Sequence, residues 1–132
     1  MPADAGAGAT EAAQARRLED VRGLIREQRR TTMRARTIAI TLDSALTEFT
    51  ANREANELTD LQRIELRRQW CQRALGMIQE VRAHAMRTSQ AFELVAAEGG
   101  LARSMPARFA AANRQIAQYA DQAERSAIAG IG

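Results

Sequence analysis

Apolar residues recur at alternating intervals of three and four along residues 18–49, the spacing of one face of an α-helix. These positions are Leu18, Val21, Ile25, Gln28, Thr32, Ala35, Ala39, Leu42, Leu46 and Phe49. With Leu18 taken as position a of a heptad, they fall at positions a and d, and Leu24, Ile38 and Ala45 widen the stripe at position g. A stripe of this width predicts a helix packed in a bundle rather than a two-stranded coiled coil.

Two polar residues, Gln28 and Thr32, interrupt this apolar stripe. A polar layer within a helical seam can set the register or the oligomeric state, at some cost in stability. We therefore expect Gln28 and Thr32 to lie at a packed interface.

The stripe fails around residues 52–60, where polar residues occupy the expected core positions. Thr59 followed by Gln62 forms the pattern of a capping box, which starts a new helix, and Asn56 is an acceptable residue at a helix C-terminus. The pattern favours a turn near 56–59. One continuous helix through residue 97 is the alternative, since no glycine or proline enforces the break.

Two further stripes predict two further helices. The second comprises Leu66, Trp70, Ala74, Met77, Val81, Ala85, Thr88, Phe92 and Val95, flanked by Cys71 and Ile78. The third comprises Met105, Phe109, Ala112, Ile116, Tyr119 and Ala123. Between them, Gly99 and Gly100 form a strong stop signal, and Ser104 is a candidate N-cap with Pro106 in the first turn.

The expected fold is all-α: a long antiparallel helical hairpin plus a shorter third helix, an elongated and coiled-coil-like three-helix bundle. Helices are expected at about 11–56, 60–97 and 104–128 within a single helical domain, 11–128. Residues 1–10 are small and without an apolar stripe, which predicts a disordered tail, and the glycines of 129–132 predict a frayed end.

Composition agrees with this interpretation. Of the 132 residues, 45% are hydrophobic but only 4% are aromatic, and the alanine-rich remainder favours thin helical packing over a thick core. No stretch approaches the roughly 20 apolar residues of a membrane span, and the first residues lack the pattern of a secretory signal. We therefore expect a soluble, cytoplasmic protein.

All 19 basic residues are arginine, and the net charge is +3. Arginine codons of a GC-rich genome explain this bias, and selection for the bidentate guanidinium group is the alternative. Residues 16–36 carry eight arginines and three acidic residues, whereas 37–60 carry one arginine and five acidic residues. Folded as a hairpin, each half faces a stretch of opposite charge, which favours the hairpin over one continuous helix.

Arg22, Arg29 and Arg36 share position e and form a row beside the apolar seam, with about 10 Å between neighbours. They are expected either to form salt bridges within the bundle or to bind an acidic helix or phosphates.

Trp70, on an apolar stripe, belongs either to the core or to an exposed binding site. The partner-binding candidates are Arg22, Arg26, Arg29, Arg30, Arg36 and Trp70.

The residues that could support catalysis are sparse. His84 is the only histidine and Cys71 the only cysteine, and thirteen residues separate them, about 20 Å along one helix. No metal-ligand set, phosphate-binding loop or nucleophile motif occurs. The expectation is a protein that is not an enzyme, with no catalytic residue, metal, cofactor or small-molecule substrate.

The leading functional hypothesis is a protein–protein interaction module that binds through amphipathic helix faces. Adaptors, chaperones and structural subunits of bacterial or phage assemblies, such as secretion machines and phage particles, have this general composition. A protein partner or a homo-oligomer would complete the wide stripe. The alternatives are nucleic-acid binding through the arginine cluster at 16–36 and, with less support, an amphipathic membrane-surface binder.

Overall fold

The computed structural model describes residues 2–51 and 57–132, with side chains from residue 10 onward except residue 50. It contains three α-helices: α1 (Pro2–Ala51), α2 (Asp60–Ala97) and α3 (Ser104–Ile131). Every pair of helices is in contact, so the chain forms a three-helix bundle. The expected all-α fold is confirmed, and no strand occurs in the part of the chain just defined.

The helix boundaries differ from expectation mainly at the start of the chain. Helix α1 begins at Pro2, so residues 2–10 are helical where a disordered tail was expected. The expected end near residue 56 lies outside the described residues. Thr59 forms the predicted capping box: the Gln62 backbone N–H donates to the Thr59 hydroxyl at 3.2 Å, and the Thr59 N–H donates to the Gln62 side chain at 2.9 Å.

The stop between α2 and α3 is the predicted glycine pair. Gly99 and Gly100 adopt φ angles of 81° and 83°, a left-handed conformation that side chains disfavour. Ser104 is not the N-cap that the sequence suggested. Arg103 occupies that position in a helical conformation without a side-chain cap, and Ser104 is the first helical residue.

The core runs the length of the bundle in three successive clusters. The middle cluster consists of Ala35, Ile38, Ala39, Ile78, Val81, Ile116, Ala120 and Ala123. At one end, Val21 packs with Phe92 and Phe109, whose rings stack at 4.1 Å. At the other end, the buried cluster is Leu42, Cys71, Ala74 and Ala127. Phe92 and Phe109 fill one end, while at the other end, beside the Phe49–Trp70 pair, small residues around Cys71 let the helices approach closely.

Three residues of the predicted stripes lie away from the core. Leu18 is 46% exposed and precedes Val21, the first buried residue of α1 among the described side chains. On α2, the buried line passes through Cys71 and Ile78, expected to be flanking, while Trp70 is half-buried and Met77 lies at the edge. The buried residues of α2 are thus displaced by one position from the predicted stripe, because α2 packs against two helices rather than one.

The C-terminal segment is packed rather than frayed. Helix α3 continues to Ile131, and Gly130 is buried against α2. A Cβ at Gly130 would lie 2.4 Å from the Cys71 sulfur, so only glycine allows this approach. Burial raises the pKa of the Cys71 thiol, and the nearby Arg67 partly opposes this shift.

The predicted polar layer forms around Gln28. Its Nε2 donates to the Phe109 carbonyl at 2.8 Å and to the Asn113 side-chain oxygen at 2.9 Å. Asn113 in turn donates to the Ser89 hydroxyl at 2.7 Å, so the layer joins all three helices. Thr32 is only half-buried, and its hydroxyl donates to the Gln28 carbonyl. A satisfied buried network of this kind fixes the register of the bundle.

Candidate functional site

Side-chain contacts define two edges of α1. One edge faces α2: Arg34 pairs with Glu80 at 2.9 Å, and Glu27 contacts the Nε2 atom of His84 at 3.2 Å. We call Glu27 and Arg34 the paired edge. The opposite edge faces α3, since the Asp43 carboxylate accepts a hydrogen bond from Ser126 at 3.0 Å.

Arg22, Arg29 and Arg36, here called the arginine row, lie on the α3-facing edge. Each precedes Asp43 by a multiple of seven residues, so the four side chains follow one line along α1. All three arginines are exposed, and none forms an ion pair or hydrogen bond with the side chains that the structure describes. Their interpretation as a salt-bridge seam is therefore not supported, and the row is open to solvent.

The row is unpaired because α3 presents no acidic residue to it. Ser126 lies on the side of α3 that faces α1. The residues 4, 11 and 18 positions before it lie on the same side and are all exposed: Gln122, Gln115 and Arg108. The two acidic residues of α3 lie on the other side, where both bind one arginine of α2.

That arginine is Arg82, which bonds to Glu124 and, at 2.7 Å, to Asp121. The hydrogen bond that Arg82 donates to Glu124 raises the pKa of Arg82; partial burial opposes this shift, and the hydrogen bond donated to Asp121 adds to it. The acidic groups of α3 are thus engaged away from the arginine row.

Two other predicted candidates are neutralised on α1 itself. Arg26 pairs with Glu19 at 3.5 Å, and Arg30 pairs with Glu27 at 3.0 Å. The cluster at 16–36 is therefore divided: Arg26 and Arg30 have acidic partners, whereas the row does not. The predicted charge matching of the hairpin holds for this half, through Arg34–Glu80. No ion pair joins 37–51 to 61–78 in the part that the structure describes.

Exposed apolar side chains adjoin the arginine row. Met33 is 57% exposed and lies four residues after Arg29, while Ile40 is 50% exposed and lies four residues after Arg36. Residues four apart share a helix face, so these side chains alternate along one surface. We call Arg22, Arg29, Met33, Arg36 and Ile40 the basic–apolar strip. Sequence reasoning missed Ile40, although position b beside the row was the available signal.

Trp70 lies elsewhere. Its ring packs edge-to-face on Phe49, with centroids 5.0 Å apart and an interplanar angle of 75°. It also lines a groove between α1 and α2, on the side of α1 away from Asp43 and Ser126. The structure therefore does not join Trp70 to the arginine row in one site.

The residues of possible catalytic use are separated. His84 contacts Glu27 on the paired edge, whereas Cys71 is buried beside Gly130 in another cluster. Within the described residues, no group of three or more histidine, cysteine, aspartate or glutamate side chains is placed to hold a metal ion. The described helices include none that is long and apolar enough to cross a membrane.

Comparison with known proteins adds no relative. No protein family, no curated protein and no solved structure matches the chain.

Proposed function

We propose that this chain is a non-enzymatic protein–protein interaction module that binds an acidic segment of a protein partner along the basic–apolar strip. The observation that carries the proposal is the alignment of three exposed arginines without acidic partners beside exposed Met33 and Ile40. Guanidinium groups form bidentate, charge-assisted bonds with carboxylates. Arginines left without such bonds in the bundle are available to a partner.

The spacing of the row suits a helical partner. Seven residues of α-helix span about 10 Å, so acidic residues at heptad spacing on a second helix would face Arg22, Arg29 and Arg36 in turn. Carboxylates on a partner helix would thus form the ion pairs with the arginine row that α3 does not provide.

The exposed apolar side chains favour a protein over a nucleic acid. Burial of Met33 and Ile40 against apolar residues of a partner would stabilise the complex. Methionine also adapts readily to differently shaped surfaces. Phosphate backbones offer no comparable apolar surface. An adaptor, a chaperone or a structural subunit of a larger assembly would use such a strip, and we place this role in the cytoplasm of a bacterium or in a phage particle.

Nucleic-acid binding is the second candidate, and one observation favours it. Helix α3 carries three further exposed arginines, Arg108, Arg114 and Arg125, that have no ion-pair partner among the described side chains. Arg108 lies on the α1-facing side beside the arginine row, whereas Arg114 and Arg125 lie on the face that carries Asp121. Such binding would weaken steeply between about 50 and 200 mM salt.

The experiment compares two triple variants with equal charge loss. The row variant is Arg22→Gln/Arg29→Gln/Arg36→Gln, and the matched control is Arg30→Gln/Arg34→Gln/Arg68→Gln, whose three arginines have acidic partners and lie away from the strip. The unmutated chain, the two triple variants and Met33→Gln/Ile40→Gln each carry the photo-cross-linking residue benzoylphenylalanine in place of exposed Thr37, which lies beside the strip, and each is used as bait in cell extract. Mass spectrometry identifies the cross-linked peptides. We expect cross-links from this position to acidic segments of one protein, retained by the control and lost in the row and apolar variants.

Equal cross-linking by all four proteins would refute the proposed use of the strip. A fluorescein-labelled double-stranded DNA is titrated in parallel, at low and high salt. Tight, salt-sensitive binding that only the row variant loses would assign nucleic acid as the partner instead.

A further inference from the structure

The groove between α1 and α2 forms a second exposed surface. Its volume is about 200 Å³, with Ile38 and Ala45 on the α1 side and Trp70, Met77 and buried Ala74 on the α2 side. Small alanines leave space between larger side chains, so the groove results from the sequence at these positions. It lies across α1 from the basic–apolar strip.

The walls of the groove are held in place by the bundle. The Trp70 ring packs on Phe49, which is itself buried, and Ile38 belongs to the middle core cluster. A preformed site binds without the entropic cost of ordering its side chains.

One charged residue borders this apolar surface. Arg73 is exposed, lines the groove, and forms no ion pair or hydrogen bond in the part of the chain that the structure describes. No acidic residue lines the groove. An apolar cavity with a single unneutralised guanidinium at its rim is complementary to an apolar group that carries a nearby carboxylate.

We propose that this groove binds one leucine-sized apolar side chain from an acidic polypeptide segment, with the neighbouring carboxylate bound by Arg73. The groove is smaller than the roughly 300–1,000 Å³ of pockets that enclose a whole small molecule, so it suits an anchor that belongs to a larger partner. Tryptophan and arginine, both present here, are the residues most enriched at binding hot spots. The inference is independent of the basic–apolar strip.

The test uses the intact chain and the single tryptophan as reporter. Trp70 is the only tryptophan, so its indole N–H gives one assignable signal in a proton–nitrogen correlation spectrum. N-acetyl-L-leucine is titrated against the neutral N-acetyl-L-leucinamide. We expect a saturable shift with a dissociation constant on the order of 1 mM for the acid, and binding up to about fivefold weaker for the amide.

Two variants locate the effect. Arg73→Gln should remove the preference for the acid over the amide, and Ala45→Leu, which fills the groove from half-buried Ala45, should abolish the shift of both probes. Circular dichroism confirms that each variant is folded. Arg36→Gln is the control: it alters the basic–apolar strip and should leave the indole shift unchanged.

Several results would overturn the proposal. No saturable shift with either probe, or an undiminished shift in Ala45→Leu, would show that the groove is not the binding site. Tighter binding of octanoate than of N-acetyl-L-leucine would assign an acyl chain as the occupant. An indole shift produced merely by concentrating the free protein would assign a second copy of the chain. None of these results would bear on the cross-linking expected at the strip.

Discussion

The two edges of α1 carry the same basic residue in different environments. On the edge that faces α2, Arg34 pairs with Glu80, and Glu27 contacts His84. On the edge that faces α3, the arginine row has no acidic partner among the described side chains. The difference arises on the neighbouring helices, because α2 presents Glu80 to α1 while α3 presents glutamines.

The arginine content of a helix is therefore a poor guide to function until the adjacent helices are placed. Unpaired charges weaken a seam slightly or leave it unchanged, so the α1–α3 seam must derive its stability from other contacts. Those contacts include the middle core cluster, the cluster of Val21 with Phe92 and Phe109 at one end, and the polar layer around Gln28. The comparison predicts that apolar and buried polar contacts contribute more to stability than any ion pair at the edges.

The largest expected effect is at the Phe92–Phe109 stack, which joins α2 and α3 and packs on Val21 of α1. Phe109→Ala removes the ring that stacks on Phe92 beside Val21 and should lower the free energy of unfolding by about 3–5 kcal/mol. Phe109→Leu, which keeps most of the volume, should cost less than about 1.5 kcal/mol. Urea denaturation measures both. A loss below about 1 kcal/mol for the alanine variant would contradict the importance given to this cluster.

The next effect concerns the polar layer. Gln28→Ala removes the donor to the Phe109 carbonyl and to Asn113, and leaving a buried polar group unsatisfied costs about 1–3 kcal/mol. Thr32→Ala is the control, because the half-buried Thr32 hydroxyl bonds only to its own helix. The same denaturation measurements apply. Equal losses for the two variants would show that Gln28 does not act through α3.

The helices and part of this layer could be predicted from the sequence because they depend on local signals. The apolar spacing predicted three helices, Thr59 and Gln62 predicted a cap, and the glycine pair predicted a stop. Gln28 was recognisable because a polar residue interrupted an apolar stripe. Periodicity and caps are properties of a short segment, so no tertiary information was needed.

The state of the arginine row could not be predicted, because it depends on tertiary contacts. Whether Arg36 has a partner depends on which face of α3 packs beside it, and that in turn depends on small residues such as Gly130. The exposure of Ile40 has the same origin, since an isolated helix does not show which flank its neighbours cover. The burial of Cys71 in place of Trp70 on α2 also could not be predicted, because it results from packing against two helices.

Giving the arginine row acidic partners on α3 tests the comparison between the two edges directly. Gln115→Glu/Gln122→Glu adds carboxylates on the side of α3 that faces α1. Stability should rise by up to about 1 kcal/mol at low salt, and the gain should fade in high salt because exposed pairs are screened. Cross-linking of an acidic partner at the strip should decrease.

Gln118→Glu adds one carboxylate to the same helix one row farther from α1 and is the control for this pair. A gain in thermal stability of half that of the double variant or more would mean that the new carboxylates act through overall charge rather than through the arginine row.

The smallest effect separates two arginines that are two residues apart. Arg34 is paired with Glu80 but 54% exposed, so Arg34→Gln should lower the free energy of unfolding by only about 0.2–1 kcal/mol. Arg36→Gln removes a charge with no described partner and relieves repulsion within the row, so stability should stay constant or rise slightly. Paired thermal melts at low and high salt resolve this difference in sign, because screening should bring the two variants together. If Arg36→Gln were the more destabilising of the two, Arg36 would have a role in the bundle itself, and the arginine row would no longer be a surface left open for a partner.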